Sequence, residues 1–131
     1  LEPGGGMRGK ELLLGGGVSS PPTLERRTVY VGTTTLDGFY AVDLDRQAIQ
    51  FAFTGEQIRG GVSFAPAIAG RRVYFGTSEG QFYAFEREDR GAEAVWSYVA
   101  PGAGAVVGPP VVAGKRVFFV CASGKIYAFD E

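Results

Sequence analysis

The feature that most constrains this chain is an internal repeat of about 44 residues. Pro22, Pro66 and Pro110 are each 44 residues apart, and an aromatic residue lies eight positions after each of them. A second aromatic position also recurs, although the first copy holds one extra residue before it. A fixed period of this length is typical of tandem structural units, each of which buries its apolar face against its neighbour.

Each unit is rich in β-strand signals. Runs of β-branched and aromatic residues recur in three sets: residues 29–33, 73–77 and 117–121; residues 39–42, 82–85 and 126–129; and residues 49–53 and 94–98. The second set contains Tyr40, Tyr83 and Tyr127, and turn-forming residues separate the runs. A stretch of small residues before each proline suits a fourth, innermost strand.

Four strands in about 44 residues are the pattern of a β-propeller blade. The sequence therefore predicts an all-β chain with three four-stranded antiparallel blades, either a partial propeller or half of a six-bladed ring. The sheets are expected over residues 19–53, 63–98 and 107–129, with the proline-containing strands innermost. Gly70 and Gly114 predict two-residue hairpins because glycine accepts positive φ, whereas Arg26 at the same place predicts a different turn.

Composition narrows the function classes. The net charge is −1 and the basic residues are scattered, so nothing predicts nucleic-acid binding. There is no histidine, the commonest general base and metal ligand. Cys121 lies in an apolar run and is expected to be buried and unreactive. No apolar stretch approaches the roughly 20 residues of a spanning helix, so membrane insertion is not predicted.

The order of the repeated prolines, aromatic positions and strand runs resembles that of the PQQ-like (pyrroloquinoline-quinone-type) propeller repeat. The family's signature is Ala-x-Asp-x-x-Thr-Gly-x-x-x-Trp, and the first copy reads AVDLDRQAIQF from Ala41, with Phe51 at the tryptophan position. The second copy runs from Ala84 to Trp96 with two extra residues in the turn, and the third stops at Glu131. The resemblance implies that Trp96 packs between blades.

The resemblance also suggests how the chain is organised. Residues 1–7 read as a flexible lead-in, and residues 8–131 as three repeats at about 14–53, 54–98 and 99–131. Residues 8–13 would continue the truncated third repeat, with Leu13 at the tryptophan position, and form a closing outer strand. Three blades alone would leave apolar faces exposed. Either the chain is a fragment covered by a larger host protein or complex, or copies self-associate to complete a propeller.

Quinone-dependent dehydrogenases of the family carry calcium ligands, an aspartate base and often adjacent cysteines. This chain has one cysteine and no asparagine. Its acidic residues are expected on turns after the third strand, without the converging oxygens that calcium needs: Asp43, Asp45, Glu86, Glu88 and Asp89. No catalytic residue, cofactor or metal is therefore predicted.

These observations lead to a prediction of function. We expect a non-catalytic binding or scaffold module that mediates protein–protein interaction or assembly. Two alternatives stay open: a fragment of a larger quinoprotein dehydrogenase whose catalytic residues lie elsewhere, and an accessory subunit or sensor domain of a larger complex. The family resemblance alone favours an extracytoplasmic location, in the periplasm or cell envelope.

Overall fold

The computed structural model describes residues 17–18, 21–33, 38–54, 58–88, 91–99, 102 and 104–131. In these ranges the chain forms strands: β1 (Thr23–Glu25), β2 (Thr28–Thr33), β3 (Gly38–Asp43), β4 (Ala48–Thr54), β5 (Ala67–Ala69), β6 (Arg72–Gly76), β7 (Gln81–Glu88), β8 (Gly91–Val99), β9 (Val111–Ala113), β10 (Arg116–Val120) and β11 (Ile126–Asp130). Among the described residues, no helix has the length and hydropathy needed to cross a membrane.

The strands form three separate antiparallel sheets. The first sheet has the order β1-β2-β3-β4, the second β5-β6-β7-β8, and the third β11-β10-β9. The all-β prediction of three antiparallel sheets is confirmed. The first two sheets have the four predicted strands, and the described part of the third sheet has three. Residues 8–13, the expected fourth strand, lie outside the described residues.

The first strand of each sheet is not where the sequence predicted it. The small-residue stretches at 60–65 and 104–109 contain no strand. Instead, β1, β5 and β9 are three-residue edge strands that follow the repeated prolines. Pro has no N–H to donate, so it stands just ahead of the strand rather than within the ladder.

The hairpin after each edge strand has one geometry in all three sheets. The closing pairs are Glu25 with Thr28, Ala69 with Arg72, and Ala113 with Arg116, so each loop has two residues. Gly70 and Gly114 have φ of 60° and 64°, as predicted, but Arg26 has φ of 57° as well. The expectation of a different first turn is wrong, because strand pairing imposes the left-handed conformation on Arg26 at some steric cost.

The sheets stack so that β6 and the first half of β7, in the second sheet, are buried on both faces. Alternate residues of β6 and β7 point to opposite sides. Val73, Phe75 and Phe85 join one cluster with the first sheet, while Tyr74 and Phe82 join another with the third sheet. The same stacked ring pair recurs at both junctions: Phe39 with Phe75 at 4.2 Å between centroids, and Phe82 with Phe119 at 4.5 Å.

A connecting segment crosses closely over one glycine at each junction. The Val62 N–H donates to the Thr33 carbonyl at 2.8 Å, and the Val106 N–H donates to the Thr77 carbonyl at 3.0 Å. A Cβ at Gly32 would lie 2.5 Å from Val62, and one at Gly76 would lie 2.5 Å from Val106. These glycines are therefore required by close approach rather than by φ.

Candidate functional site

An arginine joins the first and second sheets at one end of their junction. The Arg87 side chain, on β7, donates through Nη1 to Glu25 Oε2 at 2.5 Å and to the Tyr30 hydroxyl at 3.1 Å. Its Nη2 donates to the Gly70 carbonyl. Burial lowers the pKa of Arg87, but the hydrogen bonds to Tyr30 and Glu25 outweigh this, so the pKa stays above its usual value. Burial also raises the pKa of Tyr30, which stays protonated at neutral pH.

A groove of about 460 Å³ opens beside this arginine. It is lined by Arg26, Thr28, Gln50, Gly70, Arg71, Arg87 and Glu88. The Arg87 guanidinium is already paired with Glu25, and Arg26 is largely exposed. No group of three or more potential metal ligands occurs among the described residues. The groove forms the polar rim of a sheet junction.

The acidic residues predicted on turns are distributed between a turn and a strand. Asp43 ends β3, and its carboxylate accepts hydrogen bonds from the Asp45 and Arg46 N–H groups at 2.8 and 3.0 Å. It therefore caps the turn that leads into β4. Glu86 and Glu88 lie in β7 rather than on a turn, which corrects the prediction, and Asp89 is outside the described residues.

The signature positions have a clear packing role. Gln47, at the signature glycine position, has φ of 53°, which explains why glycine suits that place. Ala41 pairs with Phe51 and Ala84 pairs with Trp96, so a small residue lies opposite each large ring. A bulge follows each of these pairs.

Trp96 packs between sheets, as the resemblance implied. Its ring centroid lies 4.9 Å from that of Phe129 and 6.4 Å from that of Phe119, both in the third sheet, and 6.1 Å from that of Tyr74. The indole is partly buried. Phe51 packs in the same way against the cluster between the first two sheets.

The remaining repeat positions vary in burial from copy to copy. Pro66 and Pro110 are buried and Pro22 is exposed, while Tyr40 and Tyr83 are buried and Tyr127 is partly buried. The Tyr83 hydroxyl accepts a hydrogen bond from the Arg59 N–H at 3.1 Å. Leu13 lies outside the described residues.

Cys121 is buried, as predicted, and burial raises the pKa of its thiol. The thiolate is therefore disfavoured at neutral pH, which suits a packing residue rather than a nucleophile. Thr33 and Thr77 hold the same place in the first two repeats, where their hydroxyls bond to turn backbone.

The third sheet presents an exposed apolar face that we call the third-sheet face. It consists of Val111, Ala113, Phe118, Val120, Ile126 and Ala128, which alternate with the residues packed on the second sheet. Ile126 is 67% exposed and Val111 58%. The first sheet differs: Leu24 is exposed on its outer face, but Val31 and Tyr40 in the middle of that face are buried.

Comparison with known proteins identifies the repeat. The family model described as outer membrane protein assembly factor BamB matches residues 50–131, well over half of the chain. The chain belongs to this PQQ-like, BamB-type family. The predicted family resemblance is confirmed. No curated protein matches the PQQ-like chain.

Solved structures show the same fold. BamB from Moraxella catarrhalis superposes with a TM-score of 0.70 at 18% identity, covering 86% of the PQQ-like chain and 34% of that protein. Quinohemoprotein alcohol dehydrogenase from Comamonas testosteroni has a TM-score of 0.69 at 20% identity, covering 88% and 19%. The computationally designed Ika4 protein has a TM-score of 0.66 at 10% identity, covering 83% and 63%.

These similarities show the β-propeller fold alone, because each identity is below 25%. The chain spans about one third of the length of the Moraxella BamB structure. Its three sheets therefore correspond to a partial propeller.

Proposed function

We propose that this chain is a non-catalytic β-propeller module that binds other protein chains and acts as a scaffold in assembly. The observation that carries the proposal is the third-sheet face, on which apolar side chains such as Ile126 and Val111 are exposed. Exposed apolar patches of this kind are typical of protein-binding surfaces.

The chemistry of the described residues supports the same role. Burial raises the pKa of the Cys121 thiol, and Arg87 is paired with Glu25. The acidic side chains cap turns, as Asp43 does, or form surface ion pairs, as Glu86 does. None of these groups converges on a common point where a substrate would react.

A redox assay tests the non-catalytic part of the proposal. Purified protein is incubated with pyrroloquinoline quinone, calcium, and alcohols or sugars, and reduction of an electron-accepting dye is followed. We expect no turnover above the protein-free control. Reproducible dye reduction that disappears when the quinone is removed would instead support a quinoprotein role.

Photocrosslinking tests the binding part. A photoreactive amino acid placed at Ile126, on the third-sheet face, is expected to form protein adducts in cells. The matched control is Val99, which is 55% exposed but lies on β8 of the central sheet. Equal labelling from both positions, or none from either, would overturn the scaffold role.

The cell envelope is the location we propose for this role. The support is the family's description as an outer membrane protein assembly factor.

A further inference from the structure

The groove beside Arg87 contains an arginine in an unusual backbone conformation. Arg26 has φ of 57°, in the left-handed region, whereas Gly70 and Gly114 occupy the equivalent turn positions in the other two repeats. Glycine adopts this conformation without steric cost, but a residue with a Cβ does not. The first hairpin therefore keeps a long cationic side chain at a place where the fold alone favours glycine. Strain of this kind is typical of positions that serve a function.

A second exposed arginine lines the same groove from the neighbouring sheet. Arg26 lies in the two-residue loop before β2, and Arg71 lies in the corresponding loop before β6. The Arg26 side chain is 84% exposed and reaches Glu25 only loosely, with 3.6 Å between Nε and Oε1. Arg71 forms no ion pair within the described part of the chain. Two guanidinium groups are thus available to a ligand.

The groove as a whole has an excess of positive charge. Arg87 contributes little to this excess, because its guanidinium is paired with Glu25 at 2.5 Å. Glu88 is the acidic residue that lines the groove itself. Arg26, Arg71 and Arg87 therefore face two glutamates, and the uncompensated charge belongs to the two exposed arginines.

Hydrogen bonds hold both walls of the groove in place. The Arg87 N–H donates to the Arg71 carbonyl at 2.7 Å, and Arg87 Nη2 donates to the Gly70 carbonyl, so the second loop is fixed from both sides. On the other wall the Thr28 hydroxyl donates to Gln50 Oε1 at 3.4 Å, which leaves the amide nitrogen of Gln50 as a donor. A groove whose walls are already ordered loses little conformational entropy on binding.

We propose that this groove binds a carboxylate from an acidic segment of a partner protein, between the guanidinium groups of Arg26 and Arg71. The inference rests on the proposed function, since it names the chemistry of one segment that the module binds. Guanidinium groups pair with carboxylates through two parallel hydrogen bonds.

The shape and charge of the groove favour this ligand over two others. Small-molecule sites are mostly apolar and enclose their ligand, whereas this groove of about 460 Å³ is polar and open, which suits a segment of a protein chain. Glu88 in the lining repels a doubly charged phosphate group more strongly than a singly charged carboxylate.

Binding of a dye-labelled polyglutamate peptide, measured by fluorescence anisotropy at low ionic strength, tests the site. Reversing one charge with Arg71→Glu should raise the dissociation constant of the peptide by about tenfold. The matched control is Lys115→Glu. Lys115 is an exposed cation 44 positions further on, in the third hairpin loop, and it does not line the groove. Its reversal should change the dissociation constant by less than about twofold.

Arg26→Gly separates binding from folding. Glycine relieves the left-handed strain, so the midpoint of urea unfolding should stay unchanged or rise. The same substitution removes one of the two binding guanidinium groups, so the peptide should bind about fivefold more weakly. A purely structural arginine would not give these opposite effects. Circular dichroism checks that each variant folds, and Arg71→Gln takes the place of Arg71→Glu if the charge reversal prevents folding.

Four results would overturn the proposal: no peptide binding by the unmodified chain, equal effects of Arg71→Glu and Lys115→Glu, full binding by Arg26→Gly, or tighter binding of a phosphopeptide of equal length than of polyglutamate. Photocrosslinking from Ile126 tests the proposed function separately, because Ile126 lies on the third-sheet face and not in the groove. Adducts from Ile126 without any polyglutamate binding would overturn the carboxylate site alone.

Discussion

Replacing Gly76 by alanine isolates the close approach that holds the second and third sheets together. The φ of Gly76 is not in the left-handed region, so alanine fits the backbone and only the space for its Cβ is in question. That Cβ would lie 2.5 Å from Val106 Cγ1 and 2.7 Å from Val106 Cβ. Ordinary carbon contacts are about 3.5–4.0 Å, so the Val106 segment must move by about 1 Å.

Val106 is not free to make this movement. It is 4% exposed, and its N–H bonds to the Thr77 carbonyl. Overpacking of this kind costs about 1–3 kcal/mol, partly offset by about 0.5–1 kcal/mol from the lower backbone entropy of alanine in the unfolded chain. We expect Gly76→Ala to lower the free energy of unfolding by about 1–2 kcal/mol. Gly32→Ala should cost more, because the obstructing atoms include the Val62 carbonyl oxygen.

Urea unfolding at fixed protein concentration, followed by Trp96 fluorescence, measures the effect. The control is Gly91→Ala, since a Cβ there meets nothing within 4 Å. Val106→Ala should partly rescue Gly76→Ala, which a double-mutant cycle would show as a coupling of about 1 kcal/mol. The reasoning fails if Gly76→Ala is as stable as Gly91→Ala, or if the two substitutions at the contact are additive.

Two further predictions concern aromatic residues at the sheet junctions. The buried Tyr74 hydroxyl makes no hydrogen bond of standard length and angle to the described residues; burial raises its pKa, and the nearby Arg72 side chain partly offsets that rise. Tyr74→Phe should therefore change stability little, whereas Tyr30→Phe should lower it by about 1 kcal/mol through loss of the Arg87 bond. Urea titrations of the two variants decide this, and equal losses would contradict it. Trp96→Ala should cost about 3 kcal/mol, the lower part of the range for large aromatics, because the indole is only partly buried. Thermal unfolding provides the measure, and a change below about 1 kcal/mol would refute an inter-sheet role.

Most of what the sequence predicts correctly about the fold comes from the 44-residue repeat. Because Val73 and Val117 begin similar runs at a fixed spacing, strands such as β6 and β10 could be placed within one or two residues. The edge strands were misplaced because three residues are too few to show an alternating pattern. The prediction placed these strands in the small-residue stretches before the prolines. Those stretches instead form the segments that cross closely over Gly32 and Gly76.

The junction contacts could not be predicted, for a different reason. Arg87 and Glu25 are 62 positions apart, and their pairing has no counterpart in the other repeats, where Ala69 and Ala113 replace Glu25. Which backbone groups of β11 face away from β10 depends on the hydrogen-bonding phase of one hairpin, and sequence periodicity does not reveal that phase.

The central claim, that the repeats are separate sheets packed face to face, can be tested through the chain's single tryptophan. Its indole resonances are unique, so their nuclear Overhauser contacts can be assigned without ambiguity on the tryptophan side. The account predicts cross-peaks from the Trp96 indole to the rings of Phe129 in the third sheet and Tyr74 in the second. Cross-peaks to Tyr74 without any to third-sheet residues would contradict the stacked arrangement.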